Sequence, residues 1–416
     1  MQKKISRDAA SKILNVLWRI LAFLVVLILC LPVLLLPLTT AVPVEAWAVL
    51  IVLAIGLIIL QFRRPGAALA GTLIVCILAV LASQSFAATP AIKDTNGQAV
   101  PGSIATLEKV NLNGTEQWIT IRGHYTRKPV LLYLGMGGPG GGGFATQSLF
   151  EGLEDEFVVV AWDEPGTGKS YHAMPISDLT PRRFVEDAHA LTLMLRERFH
   201  QDRIYIYGVS WTSILGIWLI QQYPDLYNAY IGNGQMVNTT ENDVMGYDLA
   251  LEYLADKGDT TGVERLRSNG PPPYSGDDLV TKYLAFIDVL NDYMGAPRYA
   301  LVVPIVPFLA PEYGYVDKVN HTRGLVESFK VVYPQLKDLD FTTQANKLEV
   351  PVYIFLGRHD VNAMTSLVER YYDVLKAPHK ELIWLEAGHG LDAANLPLFE
   401  EVMVNKVLAE TYPSGD

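Results

Sequence analysis

The run Ile206-Tyr207-Gly208-Val209-Ser210-Trp211-Thr212-Ser213 constrains the fold of this chain more than any other. β-prone residues lead into it from Arg203, and an apolar helical segment, Thr212 to Gln222, leaves it and stops before Pro224. A glycine two residues ahead of a serine at such a junction lets strand and helix approach closely, and the sharp turn lifts the serine hydroxyl above the sheet edge. A glycine-rich loop, Gly135 to Gly143, lies upstream, and Asp360 and His389 follow downstream in that order.

The segments around this turn alternate. Ile104 to Val110 and Trp118 to Ile121 predict an entering antiparallel hairpin, and Val130 to Leu134 and Phe157 to Trp162 are continuous apolar runs suited to strands buried on both faces. Thr180 to Phe199 opens with Thr-Pro and carries Val185, Ala188, Leu191, Leu195 and Phe199 at helical spacing. Strands are expected at Arg203 to Tyr207, Tyr227 to Ile231, Val350 to Leu356 and Glu381 to Leu385, the last two separated by a helix over Met364 to Leu375. Strands and helices in alternation predict a mostly parallel sheet flanked by helices.

Between Gln235 and Gln344 the alternation stops. Helical segments such as Val244 to Ala255 and Asp278 to Tyr293, joined through Gly270-Pro271-Pro272-Pro273, predict an inserted helical cap over 235–344, with the sheet built from 104–234 and 345–416. Tyr299 to Ala310, broken by Pro304 and Pro307, is expected to line a pocket or the core rather than touch a bilayer.

Residues 1–88 form a separate region. Ile20 to Leu38, Val44 to Leu60 and Leu69 to Phe86 each suffice to cross about 30 Å of hydrocarbon as a helix. Lys3, Lys4, Arg7, Lys12 and Arg19 precede the first span, the connection Thr39 to Pro43 has no basic residue, and Arg63 and Arg64 lie in the second connection. That asymmetry predicts a multi-pass cell-membrane protein with its N-terminus in the cytoplasm and its large domain outside. Ser85-Phe86-Ala87 resembles a small-residue cleavage site, so loss of a leader is the competing expectation. Residues 89–103, rich in small residues and Pro, read as a tether.

The charge is distributed unevenly: +5 over residues 1–88 and −16 over the remainder of a chain of net −11. An acidic outer domain repels nucleic acid and anionic surfaces. Both cysteines, Cys30 and Cys76, lie within the spans, so the outer domain has neither a disulfide nor a thiol nucleophile, which fits a bacterial surface. The sequons at Asn113, Asn238 and Asn320 are read as chance matches.

A serine hydroxyl is a weak nucleophile, and acyl transfer through it needs an imidazole base and a carboxylate that fixes the imidazole tautomer. Ser210, His389 in Ala387-Gly388-His389-Gly390, and Asp360 in Leu356-Gly357-Arg358-His359-Asp360 are the candidates, each just past a predicted strand. His124, His172, His189, His200, His321 and His379 are expected at turns or solvated helix faces, while His359 follows a strand but adjoins the candidate acid. The backbone amides of Gly138 and Trp211 are the candidate oxyanion donors, because a glycine loop brings amides close without side chains in the way. No metal and no cofactor is called for. Asp163 to Ser170 ends like a nucleotide-binding loop, but Asp163 stands where glycine is needed and Pro165 removes an amide, so no nucleotide is expected.

These residues together resemble the proline iminopeptidase branch of the α/β-hydrolases, whose members carry His-Gly-Gly-Pro-Gly, Asp-Gln-Arg-Gly-x-Gly-x-Ser and Gly-Gly-Ser-Trp-Gly. The counterparts here are Met136-Gly137-Gly138-Pro139-Gly140, Asp163 to Ser170 and Gly208-Val209-Ser210-Trp211-Thr212. The resemblance spans residues 103–410 and implies an α/β-hydrolase fold with a helical cap, and a serine aminopeptidase acting on short peptides. It also implies a cap carboxylate that binds the substrate's amino terminus, for which Glu241 is the nearest match. Three departures stand out: Met136 for histidine, Glu164-Pro165 for Gln-Arg, and Thr212 for glycine, whose branched side chain predicts a slightly relaxed turn. An esterase or lipase-like enzyme acting on small esters with the same residues, and a surface-binding protein that has lost catalysis, remain the alternatives.

Overall fold

Uninterrupted apolar sequence folds into three long helices, α1 (Arg7–Thr39), α2 (Val44–Gln61) and α3 (Pro65–Ser85), in a computed structural model that describes residues 7–297 and 305–412. Lys3 and Lys4 lie outside the described residues. Each helix is long and apolar enough to cross a membrane, since 18 residues rise about 27 Å. The first starts well before the uncharged run, because helical geometry continues through Lys12 and Arg19. The third starts at Pro65, whose fixed φ and missing N–H suit a first helical turn. Pro37 cannot donate to the Val33 carbonyl one turn earlier, and the Trp47 indole N–H donates to it instead at 3.0 Å.

These helices and Leu309–Val316 make one compact unit; Pro90–Phe308 and Asp317–Asp416 make the other. Within the first, the Tyr315 hydroxyl donates to the Pro32 carbonyl at 2.6 Å and the Tyr315 amide to Ser83 Oγ at 3.0 Å. Of the segment expected to line a pocket or core, residues 299–304 lie outside the described residues. Ile305 and Leu309 are 62% and 73% exposed, so these side chains line no core.

The second unit is built on an eight-stranded sheet in the order β1-β2-β4-β3-β5-β6-β7-β8. β1 (Ile104–Leu112) and β2 (Thr115–Gly123) form a hairpin, and β2 pairs antiparallel with β4 (Val158–Asp163). Asn113 and Gly114, both at positive φ, make its two-residue turn. From β4 onward, β3 (Val130–Tyr133), β5 (Ile204–Val209), β6 (Tyr227–Asn233), β7 (Val352–Gly357) and β8 (Lys380–Leu385) are parallel. β3 to β7 are buried along their whole length, as the unbroken apolar runs require. Helices α4 (Pro181–Phe199) and α5 (Trp211–Gln222) cover the sheet, with Thr180 capping α4 through its hydroxyl.

Residues 89–103 are more ordered than a tether. The Asp94 amide donates to the Gln98 carbonyl, the Val100 amide to the Ile92 carbonyl, and Ile92 is buried.

Between β6 and β7 the chain leaves the sheet for α6 (Thr239–Asp256), α7 (Thr260–Asn269), α8 (Leu279–Tyr293) and α9 (Tyr315–Val332). Tyr247, Leu254, Leu266, Leu279, Phe286 and Leu290 give these helices an apolar cluster of their own. Inside it Asp243 accepts from the hydroxyls of Tyr283 and Tyr333 at 2.8 and 2.9 Å, and burial pushes its carboxyl up to about 7. Helices α10 (Thr365–Val374) and α11 (Leu396–Val402) complete the fold.

Asp187 on α4 joins helix to hairpin. Its buried carboxylate accepts from Asn113 Nδ2 (2.8 Å), Gln117 Nε2 (2.7 Å) and Arg183 Nε (2.9 Å). Asp187→Ala strands these donors and is expected to cost about 3 kcal/mol, read as a lower denaturation midpoint of the chain in detergent. Glu186→Ala, one residue away on the exposed face, should leave the midpoint unchanged.

Candidate active site

Three strand ends carry the candidate residues to one edge of the sheet. Ser210 follows β5, Asp360 follows β7 by three residues and His389 follows β8 by four. Ser210 takes φ 56° and ψ −118°, a conformation that costs a non-glycine residue of order 1–3 kcal/mol and persists only where its surroundings enforce it.

Those surroundings are visible. The Ser210 amide donates to the Asn233 carbonyl at the end of β6, and the Ser210 carbonyl accepts from the Ser213 amide at 3.0 Å and hydroxyl at 2.5 Å. A Cβ at Gly208 would lie 2.8 Å from the Thr212 carbonyl carbon, so only glycine lets the helix return this tightly over the strand. Thr212 does not relax the turn. Its buried hydroxyl accepts from the Val209 amide at 2.8 Å and donates to the Gly135 carbonyl at 2.6 Å, joining the turn to the glycine loop.

His389 Nε2 lies 2.9 Å from Ser210 Oγ, and His389 Nδ1 lies 3.0 Å from both oxygens of Asp360. The ring rests on Gly234, where a Cβ would lie 2.9 Å from His389 Cε1. Asp360 is buried and also accepts from the amides of Asn362 and Ala363, each at 2.9 Å. Burial opposes charge on the His389 ring. The Asp360 carboxylate, by its charge and its hydrogen bond, more than offsets this and leaves the imidazole above its ordinary pKa. Ser210 and His389 remain partly exposed, so a substrate can reach them.

The other candidates fall in different places. Trp211 is the first residue of α5, where an amide has no intrahelical partner, and Gly138 lies on the loop after β3. Neither amide donates to a backbone carbonyl among the described residues. Glu164 accepts from the Gly140 amide at 2.5 Å and from the Trp211 indole at 3.2 Å. Burial pushes the Glu164 carboxyl up to about 8. Glu241 makes its side-chain hydrogen bonds elsewhere. It sits on the first turn of α6 in a bidentate ion pair with Arg370, beside a depression lined by Asn238, Thr240, Val244, Lys337 and Asp340.

His321, expected to be solvated, is buried in α9, and burial holds its pKa down to about 4. Lys169 of the nucleotide-loop look-alike is paired in the interior with Asp317 at 2.9 Å. Three asparagines went unnoticed. Asn242 accepts from the Met364 amide and donates to the Asn362 carbonyl, while Asn362 Nδ2 donates to Asn291, tying α6 and α8 to the loop that bears Asp360. Asn242 and Asn291 are single polar residues within helices and Asn362 lies on a loop, and none belongs to a pattern that marks it as such a tie.

Comparison with known proteins agrees with this architecture. The family model of the α/β hydrolase fold matches residues 128–264. The probable aminopeptidase YbaC of Bacillus subtilis (strain 168) is 29% identical over 303 residues, 72% of this chain and 93% of its own. A probable proline iminopeptidase of Leptolyngbya boryana is 25% identical over 39% of this chain and 46% of its own. Among solved structures, proline iminopeptidase of Mycobacterium smegmatis superimposes with a TM-score of 0.55 at 16% identity, over 73% of this chain and 98% of that one. A proline iminopeptidase-related protein of Thermus thermophilus gives 0.52 at 19% identity, over 74% and 99%. This chain has the α/β-hydrolase fold and is a hydrolase similar to proline iminopeptidases.

Nitrogen-15 NMR of imidazole-labelled protein should find His389 titrating above the ordinary histidine value. Asp360→Asn removes the two causes that raise it and leaves burial, so the midpoint should drop below that value; an unmoved midpoint would mean that the pair is not coupled as described.

Proposed function

We propose that this α/β-hydrolase is a membrane-anchored serine aminopeptidase that releases N-terminal residues from short peptides through an acyl-enzyme. The observation that carries the reading is the continuous set of hydrogen-bond distances from Ser210 Oγ through His389 to buried Asp360, at a serine held in a strained turn. The names of the similar proteins favour peptide over ester substrates.

In this reading His389 Nε2 takes the Ser210 proton as Oγ bonds to the scissile carbonyl carbon, and Asp360 holds the Nδ1–H and stabilises the imidazolium. The carbonyl electron pair moves onto oxygen, where the amides of Trp211 and Gly138 receive it. His389 returns the proton to the leaving amine as the C–N bond breaks. Water, deprotonated by the same ring, then cleaves the ester and restores Ser210.

The membrane part rests on helix length and on the basic residues that precede α1 and reappear between α2 and α3. In this reading the chain has three spans, a cytoplasmic N-terminus and an outward catalytic domain, in which 235–344 is a cap over a core of 104–234 and 345–416. Glu241, already paired with Arg370, is left out of the substrate site.

Ser210→Ala should lower kcat/KM on the preferred substrate by about 10⁶-fold, and aminoacyl-coumarin amides with a free α-amino group, proline among them, should be cleaved with higher kcat/KM than the same amides N-acetylated. Hydrolysis of acyl esters with no cleavage of any aminoacyl amide would move the assignment to an esterase. For the topology, Asp94→Cys in intact cells should react with a membrane-impermeant maleimide; labelling only after lysis would reverse the orientation.

A further inference from the structure

Glu164 is an acid in an unfavourable place. It is fully buried, and both of its oxygens face N–H groups of neutral partners, Gly140 N at 2.5 Å and Trp211 Nε1 at 3.2 Å. Its chain neighbour Asp163 is also buried and adds like charge. Burying an ionisable group without a cationic partner is costly, and an apolar side chain of the same size is cheaper wherever shape alone matters. What offsets that cost here is what its two oxygens hold.

They hold the two elements that carry the candidate oxyanion donors, the glycine loop and the first turn of α5. Gly140 belongs to the loop that carries Gly138, and the Gly141 amide donates to the Gly138 carbonyl at 2.9 Å, so a shift at Gly140 is passed to Gly138. Trp211 follows the nucleophile candidate directly, and its ring is buried and packs edge-on against Phe184 with centroids 5.6 Å apart. We infer that Glu164 is a positioning residue that ties the glycine loop to Trp211 and so sets the spacing of the two amides facing the developing oxyanion. This rests on the reading of Ser210 as nucleophile with Gly138 and Trp211 as its oxyanion donors. Oxyanion stabilisation depends on donors placed for the transition state, so the loss from misplacing them appears in kcat while substrate binding is spared.

Glutamine keeps the shape of Glu164 and one acceptor oxygen; methionine keeps the bulk and loses both. The test compares Glu164→Gln and Glu164→Met in the full chain in detergent, on the best amide substrate and on an aminoacyl boronate that forms a tetrahedral adduct with serine. Glu164→Met should lower kcat about 10- to 100-fold, weaken the boronate by the same factor and leave KM within about threefold, whereas Glu164→Gln, which keeps one acceptor oxygen and turns a donor towards the other N–H, should lose less than methionine without regaining the full rate. Trp211→Phe removes the other end of one bond and should lower kcat and boronate affinity in parallel. The double variant should then be less impaired than the product of the single effects.

Wild-type kcat in Glu164→Met overturns the inference, as does equal loss in the glutamine and methionine variants, or a change confined to KM. Should Glu164→Met not fold, wild-type kcat and boronate affinity in Trp211→Phe overturn it instead. Ser210→Ala, run alongside, separates the two levels. If it retains activity, the nucleophile reading fails and takes this one with it; if it is inactive while Glu164→Met is normal, only the positioning role fails.

Discussion

A serine backbone forced to positive φ is the constraint on which the site depends. Nothing in Ser210 itself favours φ 56°, so the conformation must be imposed, and three separate contacts impose it. Gly208 lets the helix fold back onto the strand, the Asn233 carbonyl takes the Ser210 amide, and the Thr212 hydroxyl bridges Val209 to Gly135. The last contact links the turn to the glycine loop, so nucleophile and oxyanion donors share one support.

Electrostatics completes that support from the other side. Asp360 lies buried at the end of β7 with its oxygens taken by two amides and by His389, so it holds the ring without depending on solvent. The asparagines of α6 and α8 hold the same loop in turn. Helices inserted between β6 and β7 thus reach the site through hydrogen bonds to the acid's loop.

Much of this was legible in the sequence, for identifiable reasons. Strands buried on both faces read as unbroken apolar runs, so β3 to β7 announced themselves, and the Thr-Pro before α4 marked its start. The meeting of Ser210, Asp360 and His389 was readable because each follows a strand end, and parallel strands bring such ends to one edge. α9 was not readable, since its mixed polar and apolar pattern around Gly324 lacks helical periodicity. The use of Thr212 and Glu164 was hidden too. A branched residue at a crowded turn and an acid in a loop read as defects until the partners of their oxygens are known.

The central claim is that Ser210 is the group that bonds to carbon or phosphorus at this edge. Treating the intact chain with a fluorophosphonate and mapping the adduct by peptide mass spectrometry tests it most directly. The expected result is one stoichiometric adduct, on Ser210 and lost when the Asp360–His389 pair is disrupted. A fully folded chain that takes up no probe, or takes it up at another serine, would contradict it.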